Sequence, residues 1–422
     1  MLLTALLAAA ALELIGTTDR PAVEYRAGER MVFTLALTGE GELANGHSLR
    51  WRRTGDDGKV EEGTAPFTRD SRVSVTTSID RAGFVRLEAE VVDSAGRPFA
   101  FERPGNASYR TLRFDGGAGA DVGKLVGLPE PKDFDAFWAA RKRRLAEVPP
   151  AAREVELDSA DPSVRIYRVS VDCAGPRPVT GHLTVPVKAG LYPAEIAFDG
   201  YSSNPRCHER APTTGPKDRI RLHINAHGYD LGREDEYYEE FYRSIMSGGH
   251  TYAMDSDFQN RHWKTSYFLG MVFRVVRAAE YLCTRPEWNG RDFAAIGTSQ
   301  GGLQAIWCAA LDRRVSRLEV TVPWGCDFGG ETAGRSRGDW YVKAAPALGY
   351  FDAANFAKRI PATCRATITR AGLGDYVCPP SGIAICYNNL KCPKSIVWEQ
   401  GSTHPFTRPA AHETWKYEST GK

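Results

Sequence analysis

Phe293-Ala294-Ala295-Ile296-Gly297-Thr298-Ser299-Gln300-Gly301-Gly302 is the stretch on which the reading of the fold turns. A short apolar strand pattern runs into Gly-x-Ser-x-Gly, and Leu303 to Leu311 continues as a buried helix pattern. Strand, serine, helix is the order a nucleophile elbow requires. The turn is so tight that the residues beside the serine must be small, and the hydroxyl is left at its crest. Ser299 is therefore the candidate nucleophile. A glycine-rich turn joining a strand to a helix also occurs for packing alone, so the flanks and the doubled glycine carry the inference.

Outward from this stretch, strand patterns lie at Val164 to Val171, His182 to Val187 and Glu195 to Phe198. A helix is expected over Tyr267 to Leu282, and further strands at Leu318 to Val322, Ala366 to Ala371 and Ser395 to Glu399. Such alternation predicts an α/β unit over 132–422: a mostly parallel sheet with helices on both faces. Asp133 is placed to cap an entry helix from Phe134 to about Glu147, with Phe134, Phe137 and Trp138 on one apolar face.

The region before it reads differently. Met31 to Leu37, Ser48 to Arg52, Val73 to Ile79 and Phe84 to Val92 are short alternating segments broken by Gly-Glu-Gly, Asn-Gly, Asp-Asp-Gly and Ser-Ala-Gly. Residues 15–115 are thus expected to form an immunoglobulin-like β-sandwich, either glycan-binding or supporting, and 116–131 a Gly- and Pro-rich linker. Met1 to Ala11, apolar and rich in small residues, reads as the core of a secretory signal ending by residue 14, although a basic start is missing. That reading implies a secreted or periplasmic protein; without it the chain would be cytoplasmic.

At 422 residues two cores are expected, and 42% apolar residues suffice to fill them. Lysine and arginine number 54 against 52 acidic residues, a net charge of +2 with no basic stripe, so neither nucleic acid nor an anionic membrane is an expected partner. The nine cysteines include no Cys-x-x-Cys pair and read mainly as small buried hydrophobes, and no metal or organic cofactor is expected.

A serine needs a base to take its proton and an acid to orient that base. In an α/β-hydrolase arrangement they follow in the order serine, acid, histidine, each at the carboxyl end of a strand. Asp375 follows the Ala366 to Ala371 strand through Gly372-Leu373-Gly374, and His404 follows the strand ending near Glu399. Asp327 is a rival acid, and His227, His262 and His412 are rival bases. The two N–H donors for an oxyanion are expected from Gln300, next to the nucleophile, and Tyr201, in the turn after the Glu195 to Phe198 strand. Trp324, just past a strand end, is either a wall of a small acyl pocket or a core residue. Tyr229, Tyr237, Tyr238 and Tyr252 form either a sugar-stacking rim or packing.

Several motifs in order resemble the acetyl xylan esterase and cephalosporin C deacetylase family of α/β-hydrolases. These are Pro131 to Trp138, Gly297 to Gly302, Asp352 to Phe356 with Ala357 and Arg359, Gly374-Asp375 through Pro380, Tyr387-Asn388 and Gly401 to His404. The resemblance covers about Pro131 to Phe406. It implies removal of acetyl groups from sugar hydroxyls, with Ser299, Asp375 and His404 as triad and Tyr201 and Gln300 as oxyanion donors. An acetylated oligo- or polysaccharide is the implied substrate, and a homo-oligomer is left open. Asp255-Ser256-Asp257-Phe258-Gln259 and Ser202-Ser203-Asn204 depart from the family pattern, which bears on substrate preference. The competing readings are a peptidase or other esterase on the same scaffold, and a glycan-binding protein with an inactive hydrolase domain.

Overall fold

The computed structural model describes residues 12–103, 106–338, 340–404 and 409–421; the apolar leader Met1 to Ala11 lies outside the described residues. The N-terminal strands are β1 (Glu13–Thr18), β2 (Met31–Thr38), β3 (His47–Gly55), β4 (Glu61–Phe67), β5 (Arg72–Thr77), β6 (Gly83–Val92), β7 (Ala100–Arg103), β8 (Asn106–Thr111) and β9 (Arg113–Ala120). They form antiparallel sheets ordered β1-β2-β5 and β4-β3-β6-β9, with β7 and β8 as a separate hairpin. Alternation sends Leu14, Phe33 and Leu35 from the first sheet and Leu49, Leu87 and Phe114 from the second into one core.

Two boundaries differ from the sequence expectation. Glu13 and Leu14, read with the leader, already belong to β1, and Leu14 is buried. Gly116 to Ala120, read as linker, is the second half of β9, paired with Gly83 to Leu87 of β6. Its glycines signalled flexibility, but here they permit close packing on both sides of a strand.

The second unit is built on β10 (Ala152–Leu157), β11 (Val164–Val171), β12 (Val179–Pro186), β13 (Tyr192–Phe198), β14 (Ile220–Ile224), β15 (Trp288–Thr298), β16 (Arg317–Thr321), β17 (Arg365–Gly372), β18 (Lys394–Glu399) and β19 (Thr414–Ser419). They make one mixed sheet in the order β10-β11-β12-β14-β13-β15-β16-β17-β18-β19. From β14 to β18 neighbours are parallel, with antiparallel strands at both ends. All eight residues of β12 are buried, as expected for a strand covered on both faces. After β13 the chain adds β14 on one side and returns to add β15 on the other. The order reverses there, which makes the carboxyl ends of β13 and β15 a crevice suited to a ligand.

The helices are α1 (Phe134–Ala146), α2 (Asp235–Ser244), α3 (Tyr267–Leu282), α4 (Gln300–Leu311), α5 (Ala353–Ala357) and α6 (Pro380–Asn389). Twelve of the sixteen residues of α3 are buried, which puts the helix deep in the packing. Asp133 precedes α1 as expected but makes no side-chain cap; its carboxylate accepts the Tyr350 hydroxyl instead, at 2.6 Å. Among the described residues no helix is long and apolar enough to cross a membrane. All nine cysteines are free thiols, six of them buried.

Candidate active site

The site is assembled at the crevice from four loops. In the first, β15 turns into α4 at Ser299, whose backbone takes φ 56° and ψ −119°. A non-glycine residue there costs on the order of 1–3 kcal/mol and must be held by its surroundings. The Ser299 N–H donates to the Thr321 carbonyl at 3.0 Å, and the Ser299 carbonyl accepts from Trp324 N–H at 2.9 Å. A Cβ on Gly297 would overlap the Gly301 carbonyl, and one on Gly301 would overlap that of Phe198. The small residues of the motif are thus required by close backbone approach.

His404, in the loop after β18, faces the serine: its Nε2 lies 3.2 Å from Ser299 Oγ. On its other side Nδ1 lies 3.0 Å from Asp375 Oδ2, in the loop after β17. Asp375 is fully buried, and its Oδ1 accepts the N–H groups of Val377 (3.1 Å) and Cys378 (2.8 Å). Since the carboxylate can only accept, the His404 proton belongs on Nδ1, leaving Nε2 as the acceptor for the serine hydroxyl. Ser299, His404 and Asp375 therefore form one continuous hydrogen-bonded line.

The rivals lie elsewhere. Asp327 binds Arg335 through both carboxylate oxygens. His227 is buried against Tyr267, its Nδ1 2.8 Å from the hydroxyl, and burial lowers its pKa well below the ordinary value. His262 Nδ1 accepts Lys264 N–H, and His412 Nδ1 lies 2.9 Å from the Pro409 carbonyl.

The turn after β13 closes over the serine. A Cβ on Gly200 would come within 3.9 Å of Ser299 Cβ, which puts the following residue, Tyr201, beside the nucleophile. Among the described residues no protein acceptor pairs with the backbone N–H of Tyr201 or of Gln300. The Tyr201 hydroxyl donates to Thr251 Oγ1 at 2.6 Å, and burial pushes this phenol up to about 12. Its ring stacks on Tyr252 at 4.5 Å and meets Trp340 edge-on at 4.9 Å. The Tyr252 hydroxyl donates to the buried Gln300 amide oxygen at 3.0 Å, so the two donor loops are tied to each other.

Trp324 is 3% exposed and lies 5.6 Å from Trp340, ring centre to ring centre. The two tryptophans and Tyr201 form an aromatic corner next to the serine. Sequence reading missed Trp340; its one signal was an isolated tryptophan in a polar loop. Of the two readings of the tyrosines the structure favours packing: Tyr229, Tyr238 and Tyr252 are buried, while Tyr237 is half-buried. A small cleft of about 60 Å³ opens beside the acid loop, lined by Trp324, Glu331, Arg337, Tyr341 and Tyr376 among others.

Asp375, Cys378 and His404 each bring a donor atom within 4.8 Å of the others, the one cluster of metal-ligand type among the described residues. Burial raises the Cys378 thiol well above its ordinary range, and both Asp375 oxygens already accept hydrogen bonds. The set is chemically suited to proton transfer rather than to a cation, which would need a thiolate.

With this geometry in place, comparison with known proteins is decisive on kinship. The family model for acetyl xylan esterase (AXE1) matches residues 127–333 and 335–420. The chain belongs to this acetyl xylan esterase family. It is 30% identical over 279 residues to the acetyl esterase Axe7A of Xylanibacter ruminicola, a match covering 63% of this chain and 61% of that protein. Two solved structures share the fold. The acetyl xylan esterase from Paenibacillus sp. R4 has 24% identity and a TM-score of 0.55, covering 67% of this chain and 93% of its own. Acetyl xylan esterase 1 from Thermoanaerobacterium sp. JW/SL YS485 has 21% identity and a TM-score of 0.51, covering 67% of this chain and 92% of its own. The family match begins after β9, so the N-terminal antiparallel sheets lie outside it.

Proposed function

We propose that this family member is a serine esterase that removes O-acetyl groups from acetylated xylan or related oligosaccharides. The observation that carries the proposal is the line from Ser299 through His404 to the buried Asp375, set beside two backbone N–H groups that have no protein acceptor among the described residues. His404, oriented by Asp375, takes the Ser299 proton as Oγ attacks the acetyl carbonyl. The oxyanion that forms is received by the N–H groups of Tyr201 and Gln300, each such donor being worth ~10²–10³ in rate. His404 then protonates the departing sugar oxygen, leaving an acetyl-serine. Water enters, the same histidine takes its proton, and acetate leaves with the serine restored. Family membership and the aromatic corner of Tyr201, Trp324 and Trp340 both support a small acyl group. The N-terminal sheets we read as an immunoglobulin-like β-sandwich.

Acetate release from acetylated xylo-oligosaccharides tests this, with intact protein beside Ser299→Ala and with p-nitrophenyl acetate and butyrate alongside. Release that vanishes in the variant is the expected result. Ser299-dependent turnover of the synthetic esters with none from the sugar would overturn the substrate and keep the mechanism.

A further inference from the structure

Outside the family-matched region, β9 makes unusually close contact with the loops that carry Asp375 and His404. A Cβ on Gly374, the residue before Asp375, would overlap the Asp115 carbonyl of β9, and one on Gly117 would lie 3.0 Å from the Leu373 carbonyl. The side chain of Gln400, at the root of the His404 loop, clasps the β9 backbone at two points. Its Oε1 accepts Gly117 N–H and its Nε2 donates to the Gly117 carbonyl, both at 2.9 Å. Gln400 is 1% exposed, so those bonds are made in a dry interface. The two loops are joined as well, Gly374 N–H donating to the Ser402 carbonyl at 3.1 Å.

A second grip is electrostatic. Arg86 of β6 binds Asp115 of β9 through two bonds of 2.8 and 2.6 Å and lays its guanidinium over the ring of Tyr376, 4.4 Å from the centre. Tyr376 is the residue after Asp375, so the acid is bracketed by two residues that both rest on the N-terminal sheets. Asp56, from the β3–β4 turn, also accepts Ser336 N–H at 2.8 Å, in the segment that lines the cleft. An interface that served only to join two units could fall anywhere on the hydrolase surface. This one falls on the two loops bearing the acid and the base.

We propose that the N-terminal sheets are a positioning element for the Asp375–His404 pair, with Gln400 and Arg86 as positioning residues, an inference that rests on the esterase reading above. The run Gly116 to Gly119 is then explained by the need to bring a strand's backbone against catalytic loops. Since a misplacement of about 1 Å can cost ~10²-fold in rate, a small slackening of the clasp should register in turnover before it registers in binding.

The test uses the full chain with Gln400→Met and Arg86→Gln, and with Arg50→Gln as a control, a surface pair with Glu90 in the same sheet. Expected for the first two is a kcat on p-nitrophenyl acetate lowered roughly tenfold or more with KM within about twofold. The low-field proton resonance of the His404–Asp375 hydrogen bond should be lost or displaced, and Arg50→Gln should match the wild type in both readings. Folded variants with wild-type kcat and an unchanged low-field proton would overturn the proposal. If Gln400→Met does not fold, Gln400→Glu decides. Its protonated form restores both bonds to Gly117, so its low-field proton and its rate relative to wild type should recover on acidification, and a flat ratio refutes positioning. If the wild type shows no Ser299-dependent activity, the esterase reading fails, while the low-field proton still reports whether the clasp holds the pair.

Discussion

Asp375→Asn isolates the orienting role of the acid from its shape. In the native site Oδ1 accepts two loop N–H groups, from Val377 and Cys378, and Oδ2 accepts from His404 Nδ1. An asparagine can keep both loop bonds only by placing its carbonyl oxygen where Oδ1 lies, which turns its NH₂ toward His404. Two donors cannot face each other, so the imidazole must carry its proton on Nε2 instead. Nε2 is the nitrogen 3.2 Å from Ser299 Oγ, and once protonated it can no longer accept the serine proton. The fold is untouched because the loop bonds persist. A swapped tautomer of this kind costs ~10⁴ in kcat, about 5 kcal/mol in the barrier. Steady-state turnover of p-nitrophenyl acetate, with thermal unfolding as a check on folding, measures it. A correctly folded Asn variant within tenfold of wild type would show that Asp375 does not set the histidine's tautomer.

Two further outcomes follow from the same structure. Glu130, just ahead of α1, is held down to about 2 from its usual 4.5, chiefly by its hydrogen bonds to Arg359 with Lys358 assisting. A depressed carboxyl stabilises the fold above its unfolded value and loses that contribution as pH falls toward the folded value. Glu130→Gln should therefore cost about 1–2 kcal/mol at pH 7, after allowance for partial exposure, and distinctly less at pH 3, as read by urea unfolding at both; an equal loss at the two pH values would refute the ionic account. Trp340→Ala should open the aromatic corner and raise the butyrate-to-acetate ratio of kcat/KM by roughly thirtyfold or more, since butyrate has two added methylenes, each worth about 1–3 kcal/mol in an apolar pocket. An unchanged ratio would remove Trp340 from the acyl wall.

Much of the site was legible because its parts are local. The elbow is dictated by glycines that a tight turn demands, and Asp375 and His404 each follow directly on a strand. What the sequence left open was which acid faces which base. Asp327 also follows a strand, and only the three-dimensional arrangement turns it to Arg335 and leaves Asp375 against His404. The tyrosines of the long segment before α3 were ambiguous for a related reason, since a ring that packs and a ring that stacks on sugar have the same composition. Strands β10, β14 and β19 escaped notice because each is only five or six residues long, and β10 and β19 are the largely exposed edge strands of the sheet.

By itself, then, the sequence determined the chemistry on offer and the order of its delivery: hydrophobic period, turn residues and chain order are properties of neighbours along the chain. Tertiary structure decided what depends on residues far apart. It made Gly116 to Ala120 a strand rather than a linker, because β6 lay ready to pair with it and the loops of Asp375 and His404 lay ready to close on its other side. Glycine carries no side chain to announce such a contact, and only the partner across the interface gives it meaning.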